Sequence, residues 1–151
     1  MATSGHVALQ ECSSECGCRC KCRFEEKYLW MERPQFAVIQ SQGSTWRLAT
    51  LTAIPKGRFV LEIAGEVIDS ADHSPNSDFT EAVLTQSPGL YVKCAGLSSL
   101  ARFLAHSDRP CLSALRLRSG PDPRQTRLLL FSCQEIEKDQ ELTVNLEQLR
   151  A

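Results

Sequence analysis

The chain has 151 residues, with 17 Lys and Arg set against 18 Asp and Glu, a net charge of −1 and a pI of about 6.3. That balance supplies no basic excess for phosphate binding, so direct nucleic-acid binding is not expected, whereas a weakly acidic protein can still receive a basic peptide. Hydrophobic residues make up 42% and charged residues 23%, the composition of an ordinary globular domain, and the length suits one such domain with a modest core.

The opening "MATSGHVALQ" has neither the basic flank nor the apolar run of a secretory signal. No stretch approaches the roughly 18 apolar residues that a membrane helix needs, so no membrane partner is expected. The cytosol or nucleus follows, where thiols stay reduced.

Five cysteines, Cys12, Cys16, Cys18, Cys20 and Cys22, crowd into "ECSSECGCRCKC", while Cys94, Cys111 and Cys133 are scattered. In a reducing compartment such a cluster reads as a metal site before a disulfide framework. Tetrahedral zinc with bonds of about 2.3 Å brings its sulfurs to roughly 3.8 Å from one another. Alternate residues on one face of a flat strand stand about 6.6 Å apart. The segment must therefore coil around its ion, and Gly17 eases the bend. Zinc is the favoured reading; a cysteine-rich leader without metal is the alternative.

From Phe36 to Leu51, "FAVIQSQGSTWRLATL" alternates on both sides of a Gly-Ser turn, which predicts a hairpin. Pro55 to Gly57 forms a turn, Phe59 to Ile63 a strand, and Gly65 a bend into Val67 and Ile68. Residues 69–90, rich in Ser, Asp and Pro, read mostly as surface loop. In "SSLARFLAHS" the spacing of Leu97, Leu100, Phe103 and Leu104 predicts a short helix. "SGPDPRQ" reads as a second loop, "TRLLLFSCQEI" as a strand, and "KDQELTVNL" as a turn and a last strand. Many short strands, little helix and no repeat point to a single β-rich domain.

Four of these stretches, in this order, resemble SET-domain histone-lysine methyltransferases: "ECSSECGCRCKC", "TWRLATLTAIPKGRFVLEIAGEVI", "ARFLAHSDRPCL" and "RLLLFSCQEIEKDQELTVNL". The resemblance implies a mainly β SET fold of several small sheets with few short helices and a knot-like C-terminal threading. It divides the chain into a partial pre-SET cysteine cluster over residues 1–35 and a SET domain over 36–151. In the pre-SET pattern C-x3-C-x-C-x3-C the zinc ligands are Cys12, Cys16, Cys18 and Cys22, with Cys20 extra. These correspond to the later part of the family's cysteine set, so the resemblance implies one zinc here in place of the family's larger cluster. It also implies S-adenosylmethionine as methyl donor, a histone tail or other basic peptide as partner, and a place in the nucleus on chromosomes.

Family chemistry transfers a methyl group by in-line attack of a neutral lysine amine, so positioning and desolvation dominate. The resemblance places Trp46, Arg102, Phe103 and His106 on the cofactor side. A lone Trp is more often core than cofactor contact; His106 has a plainer reading as a core histidine, but its motif neighbours favour the cofactor side. Each motif departs from the family pattern. Thr45, Trp46 and Arg47 stand for a G-W-G-like turn, so a side chain replaces a glycine against the cofactor. Glu62 to Glu66 stand for E-Y-x-G-E, with Ile63 at the tyrosine; the two glutamates read as a solvated pair beside a turn.

In the segment corresponding to R-F-x-N-H-S-C-x-P-N, Ala105, Asp108 and Cys111 replace Asn, Cys and Asn. No cysteine follows Cys133, so the family's further zinc, which pairs that motif cysteine with later ones, is not expected even though Asp108 could ligate a metal. The catalytic tyrosine of E-L-T-x-D-Y is Leu146. Three functions follow: an active protein-lysine methyltransferase, a catalytically dead SET module that binds a chromatin or protein partner, or a divergent product without independent function. The departures leave no catalytic residue retained and weak or lost cofactor affinity.

Overall fold

The computed structural model describes residues 9–12, 15–17, 23–24, 31–69, 71, 81–85, 89–94 and 98–150. Its strands are Leu9–Gln10 (β1), Phe36–Gln40 (β2), Trp46–Thr50 (β3), Phe59–Ile63 (β4), Glu66–Asp69 (β5), Glu81–Thr85 (β6), Leu90–Lys93 (β7), Ala105–His106 (β8), Leu112–Arg118 (β9), Thr126–Ser132 (β10) and Thr143–Val144 (β11). They form one four-stranded sheet in the order β1-β9-β10-β4, a three-stranded sheet β5-β7-β6, and two pairs, β2-β3 and β11-β8.

The apolar run "LLL" in β10 needs cover on both faces, and it has it. Leu128 and Leu130 join the main core with Leu48, Ile54, Ile63, Leu112, Ile136 and Leu142. Leu129 joins a smaller cluster on the opposite face with Phe24 and Leu117, flanked by Phe59 and Phe131. The aromatic rings there meet edge-on, with Phe59 centred 4.9 Å from Phe24 and 5.8 Å from Phe131.

The expected hairpin is β2-β3, with Val38 opposite Leu48 and a turn at Gly43 and Ser44, both at positive φ. Gly65 is needed for another reason. A Cβ there would collide with the Lys93 carbonyl, so only glycine lets β5 leave β4 and lie against β7.

The C-terminal segment is threaded between other strands, in keeping with the fold that the resemblance implies. Residues 140–144 run between β3 and β8: Thr50 N–H donates to Gln140 O at 3.1 Å and Leu142 N–H to Leu48 O at 2.8 Å, while on the other side Ser107 N–H reaches Val144 O at 2.9 Å. β8 and β11 pair in parallel, Ala105 with Thr143 and His106 with Val144.

Several elements differ from the expectation. Within residues 69–90, expected to be mostly loop, the described residues include β6 and the start of β7, which pair with each other. β9, missed in the sequence, is seven residues long; a buried arginine, Arg116, breaks its apolar pattern. The helix expected around Leu100 is a 3-10 turn, Leu100–Phe103, in which Ser99 caps Ala101 and the buried pair is Ala101 and Leu104, the three-residue period of that helix; Leu97 lies outside the described residues. After β11 the chain forms a five-residue helix, Leu146–Arg150 (α1), where only a last strand is expected from the sequence.

Candidate functional site

The motif segments around His106 and Leu146 meet along the β8–β11 seam, whereas Trp46 and Arg47 lie in β3 and Glu62 and Ile63 in β4. His106, exposed over 40% of its side chain, accepts a hydrogen bond at Nδ1 from the Leu146 N–H at 3.2 Å, and its Nε2 stands 3.3 Å from Asp108 Oδ1. That pairing assigns the proton of the neutral ring to Nε2. Asp108, in the place of a family cysteine, is almost wholly exposed. Arg102 lies exposed on the 3-10 turn with its guanidinium 5.5 Å from the centre of the Phe103 ring, and Phe103 packs against the core.

Ile63 and Leu146, expected at the family's two tyrosine positions, are both hydrocarbon. Ile63 is buried in β4, and Leu146 packs against the same core cluster as the first residue of α1. Asn145 caps that helix, its Oδ1 accepting from Gln148 N–H at 3.2 Å. Ala105 is buried, and its N–H is already directed to Leu142 O at 3.4 Å. Cys111, in the place of an asparagine, is buried as well, and its Sγ accepts from the Thr143 N–H at 3.3 Å. Cys94 also lies in the core, and burial pushes its thiol up to about 11, opposed by the nearby Arg102 charge.

Glu62 is not half of a solvated pair, which corrects the reading from sequence. It holds Arg127 in a two-pronged ion pair, Nε to Oε1 at 3.0 Å and Nη2 to Oε2 at 2.8 Å, across β4 and β10. Arg127 also lies 5.0 Å over the Phe24 ring. Glu66 alone faces solvent, opposite Lys93.

Of the four expected zinc ligands, Cys12 is half-buried and Cys16 exposed, while Cys18 and Cys22 lie outside the described residues, as does Cys20. Among the described residues no three His, Cys, Asp or Glu side chains stand close enough together to hold a metal. A residue unmarked in the sequence reading anchors this segment. Glu11 is buried, and its carboxylate accepts from Phe24 N–H at 2.7 Å and from the Ser119 hydroxyl. No spacing signal marks a lone buried glutamate in advance.

As a cradle for S-adenosylmethionine these residues fit poorly. Trp46 offers an aromatic face, 53% exposed at the head of β3. Beside it, Arg47 projects a long side chain where the motif has glycine, and Ala105 presents a buried methyl where the motif has an amide. Two clefts of about 620 and 630 Å³ lie elsewhere, between Arg33, Thr52 and Arg58 and between Arg23, Arg124 and Arg127; neither is lined by Trp46, Arg102 or His106. No described helix is long and apolar enough to cross a membrane.

Comparison with known proteins follows the same residues. The model of the SET domain matches residues 45–146. The histone-lysine N-methyltransferase SETMAR of Rattus norvegicus is 33% identical over 119 residues, covering 70% of this chain and 37% of the rat protein. The chain thus spans little more than a third of that relative's length. The crystal structure of the methyltransferase domain of human SETMAR superposes with a TM-score of 0.74 at 28% identity, over 96% of this chain and 56% of that one. KRYPTONITE, crystallised with mCHH DNA, an H3(1-15) peptide and SAH, gives 0.73 at 28% identity, over 91% of this chain and 28% of that one. On the matched segment, the small sheets and the threaded C-terminal strands together, the chain belongs to the SET-domain family.

Proposed function

We propose that this chain is a SET module of the histone-lysine methyltransferase kind in which methyl transfer is absent or very slow, and that it serves as a binding module for a basic peptide such as a histone tail. The observation that carries this reading is Leu146. It stands where the family's catalytic tyrosine stands, and its side chain is committed to the core at the head of a capped helix. An aliphatic group offers no oxygen to orient a lysine amine, and Ile63 offers none either. Loss of one well-placed polar group costs on the order of 10²–10³ in rate, and such groups act as a unit.

The relatives named as histone-lysine N-methyltransferases and the neighbour holding an H3 peptide and SAH support the peptide class, the methyl-donor class and a chromatin-side location in the nucleus. Affinity for S-adenosylmethionine is weak because of Arg47 and Ala105, leaving Trp46, Arg102, Phe103 and His106 as its residual contacts. Residues 1–35 form a partial pre-SET segment with one zinc on Cys12, Cys16, Cys18 and Cys22, and residues 36–151 the SET domain.

The test is a radiolabelled methyl assay on histone substrates, comparing the wild type with the Leu146→Tyr, Ile63→Tyr, Ala105→Asn triple variant. The wild type is expected to show no turnover above background; robust wild-type turnover overturns the reading and makes the chain an active methyltransferase. Calorimetry with S-adenosylmethionine is expected to show tighter binding after Arg47→Gly with Ala105→Asn. Protein refolded with zinc is expected to hold about one ion per chain, and a content well below that removes the zinc site.

A further inference from the structure

Among the described residues the β2–β3 hairpin has one edge closed and one open. β3 is flanked on its far side by residues 140–142, through the Thr50–Gln140 and Leu142–Leu48 hydrogen bonds and the Ala49–Glu141 bridge. β2 has β3 on one side, and among the described residues no strand pairs with the other. The register says which backbone groups face outward. Ser41 N–H bonds Thr45 O at 2.8 Å and Leu51 N–H bonds Gln35 O at 2.7 Å. In an antiparallel ladder such bonded pairs recur every second residue, so Ala37 and Ile39 point their amides and carbonyls at β3. Those of Phe36, Val38 and Gln40 point away from it.

Edge strands are normally blunted by a lysine, a proline or a bulge. β2 has none of these: "FAVIQ" is continuous in register and uncharged. No charged side chain occurs anywhere from Gln35 to Trp46. Val38 and Ile39 are each 37% exposed, and Trp46 is exposed beside them. A strand with no charge meets a second copy of itself without like-charge repulsion, and a twofold axis needs only a self-complementary register. Centring the axis on Val38 sets Val38 opposite Val38 and Phe36 opposite Gln40. The outward-facing groups then all pair reciprocally, since every second residue along β2 presents them.

We propose that β2 is a self-association edge: two copies of this chain join through antiparallel β2–β2 pairing about Val38, making one continuous sheet from two hairpins. The contact is small, well under the roughly 1,200 Å² of a stable interface, so the dimer is weak, with a Kd on the order of tens of micromolar.

Sedimentation of the full chain across a concentration series, under reducing conditions to exclude disulfide-linked species, is the experiment. The wild type is expected to pass from monomer to dimer. Val38→Lys sets two like charges face to face across the axis and is expected to weaken the dimer by at least about tenfold. Val38→Pro removes only an outward N–H, which an edge position tolerates, and is expected to do the same with an unchanged far-UV spectrum. Hydrogen exchange supplies the positional readout: the amides of Phe36, Val38 and Gln40 slow as concentration rises, while those of Ala37 and Ile39 are slow throughout. A chain that stays monomeric, or a dimer indifferent to both variants, overturns the proposal. Slow exchange at 36, 38 and 40 in a monomer also overturns it, in favour of another segment of the same chain covering the edge.

Discussion

The β4–β10–β9 ladder and the β8–β11 seam lie in one molecule but are held by different means. In the ladder, Leu128, Leu129 and Leu130 have no exposed surface, and the pairing of β9 with β10 runs through seven consecutive residues. In the seam the strands are two residues long, His106 is partly open to solvent, and alignment depends on single hydrogen bonds such as that from the Leu146 N–H. The ladder is secured by area and the seam by individual polar atoms. Replacing a seam residue with a hydrocarbon therefore changes what the site can bind while leaving the ladder in place. Leu146 has that character, since the main core absorbs its side chain, whereas Ile63 belongs to β4 and so to the ladder itself.

The largest test of the contrast is truncation on each side. Leu130→Ala is expected to cost about 3 kcal/mol, lowering Tm by roughly 6–12 °C, because it opens a cavity in a sealed core. Leu146→Ala, half-buried at the seam, is expected to cost about 1 kcal/mol. Equal losses measured by thermal unfolding would erase the distinction.

Next is the buried thiol on the core side. Cys94 is raised from 9.0 to about 11 by desolvation. A folded-state value above the unfolded one stabilises fully below pH 9, where the thiol is neutral in both states. That stability disappears as pH climbs toward 11, on the order of 2 kcal/mol in all. Denaturant titrations between pH 8 and pH 11 are expected to show this loss in the wild type and a flatter profile in Cys94→Ala.

Seam stability is then probed at its cap. Asn145→Ala is expected to cost about 1 kcal/mol and to speed amide exchange at Gln148 and Leu149, with the β10 amides unchanged. The smallest effect belongs to Glu62 and Arg127, both about a quarter to a third exposed at 30% and 27%. A double-mutant cycle with Glu62→Gln and Arg127→Ala is expected to give a coupling of roughly 0.5–1 kcal/mol that shrinks with added salt.

Legibility in the sequence followed the same divide. The β2–β3 hairpin, β4 and β10 could be read because their patterns come from local alternation or an unbroken apolar run. β9 was hidden because Arg116 is buried at a position where a charge normally signals solvent. β6 was hidden among polar neighbours, since its strand character depends on β7. The 3-10 turn and α1 lie below the length at which helical periodicity separates from chance. Around the candidate site, motif order drew attention to His106, Ile63 and Leu146. It gave no warning that Glu62 would be held by Arg127, sixty-five residues away in the chain, because no local pattern encodes such a partner.

The position of residues 140–144 between β3 and β8 also bears on how the chain is made. Leu142, Val144 and Leu149 all belong to the main core, and all come from the last tenth of the sequence. Synthesis from the N-terminus therefore presents β3 with one edge empty and the core incomplete until those residues have been added. Through that interval the edge of β3 stays open, as the outer edge of β2 does among the described residues, the condition under which strands capture wrong partners and holding chaperones bind. Truncations that stop just short of Leu142 are thus expected to accumulate as insoluble protein, whatever the quality of the strands already synthesised.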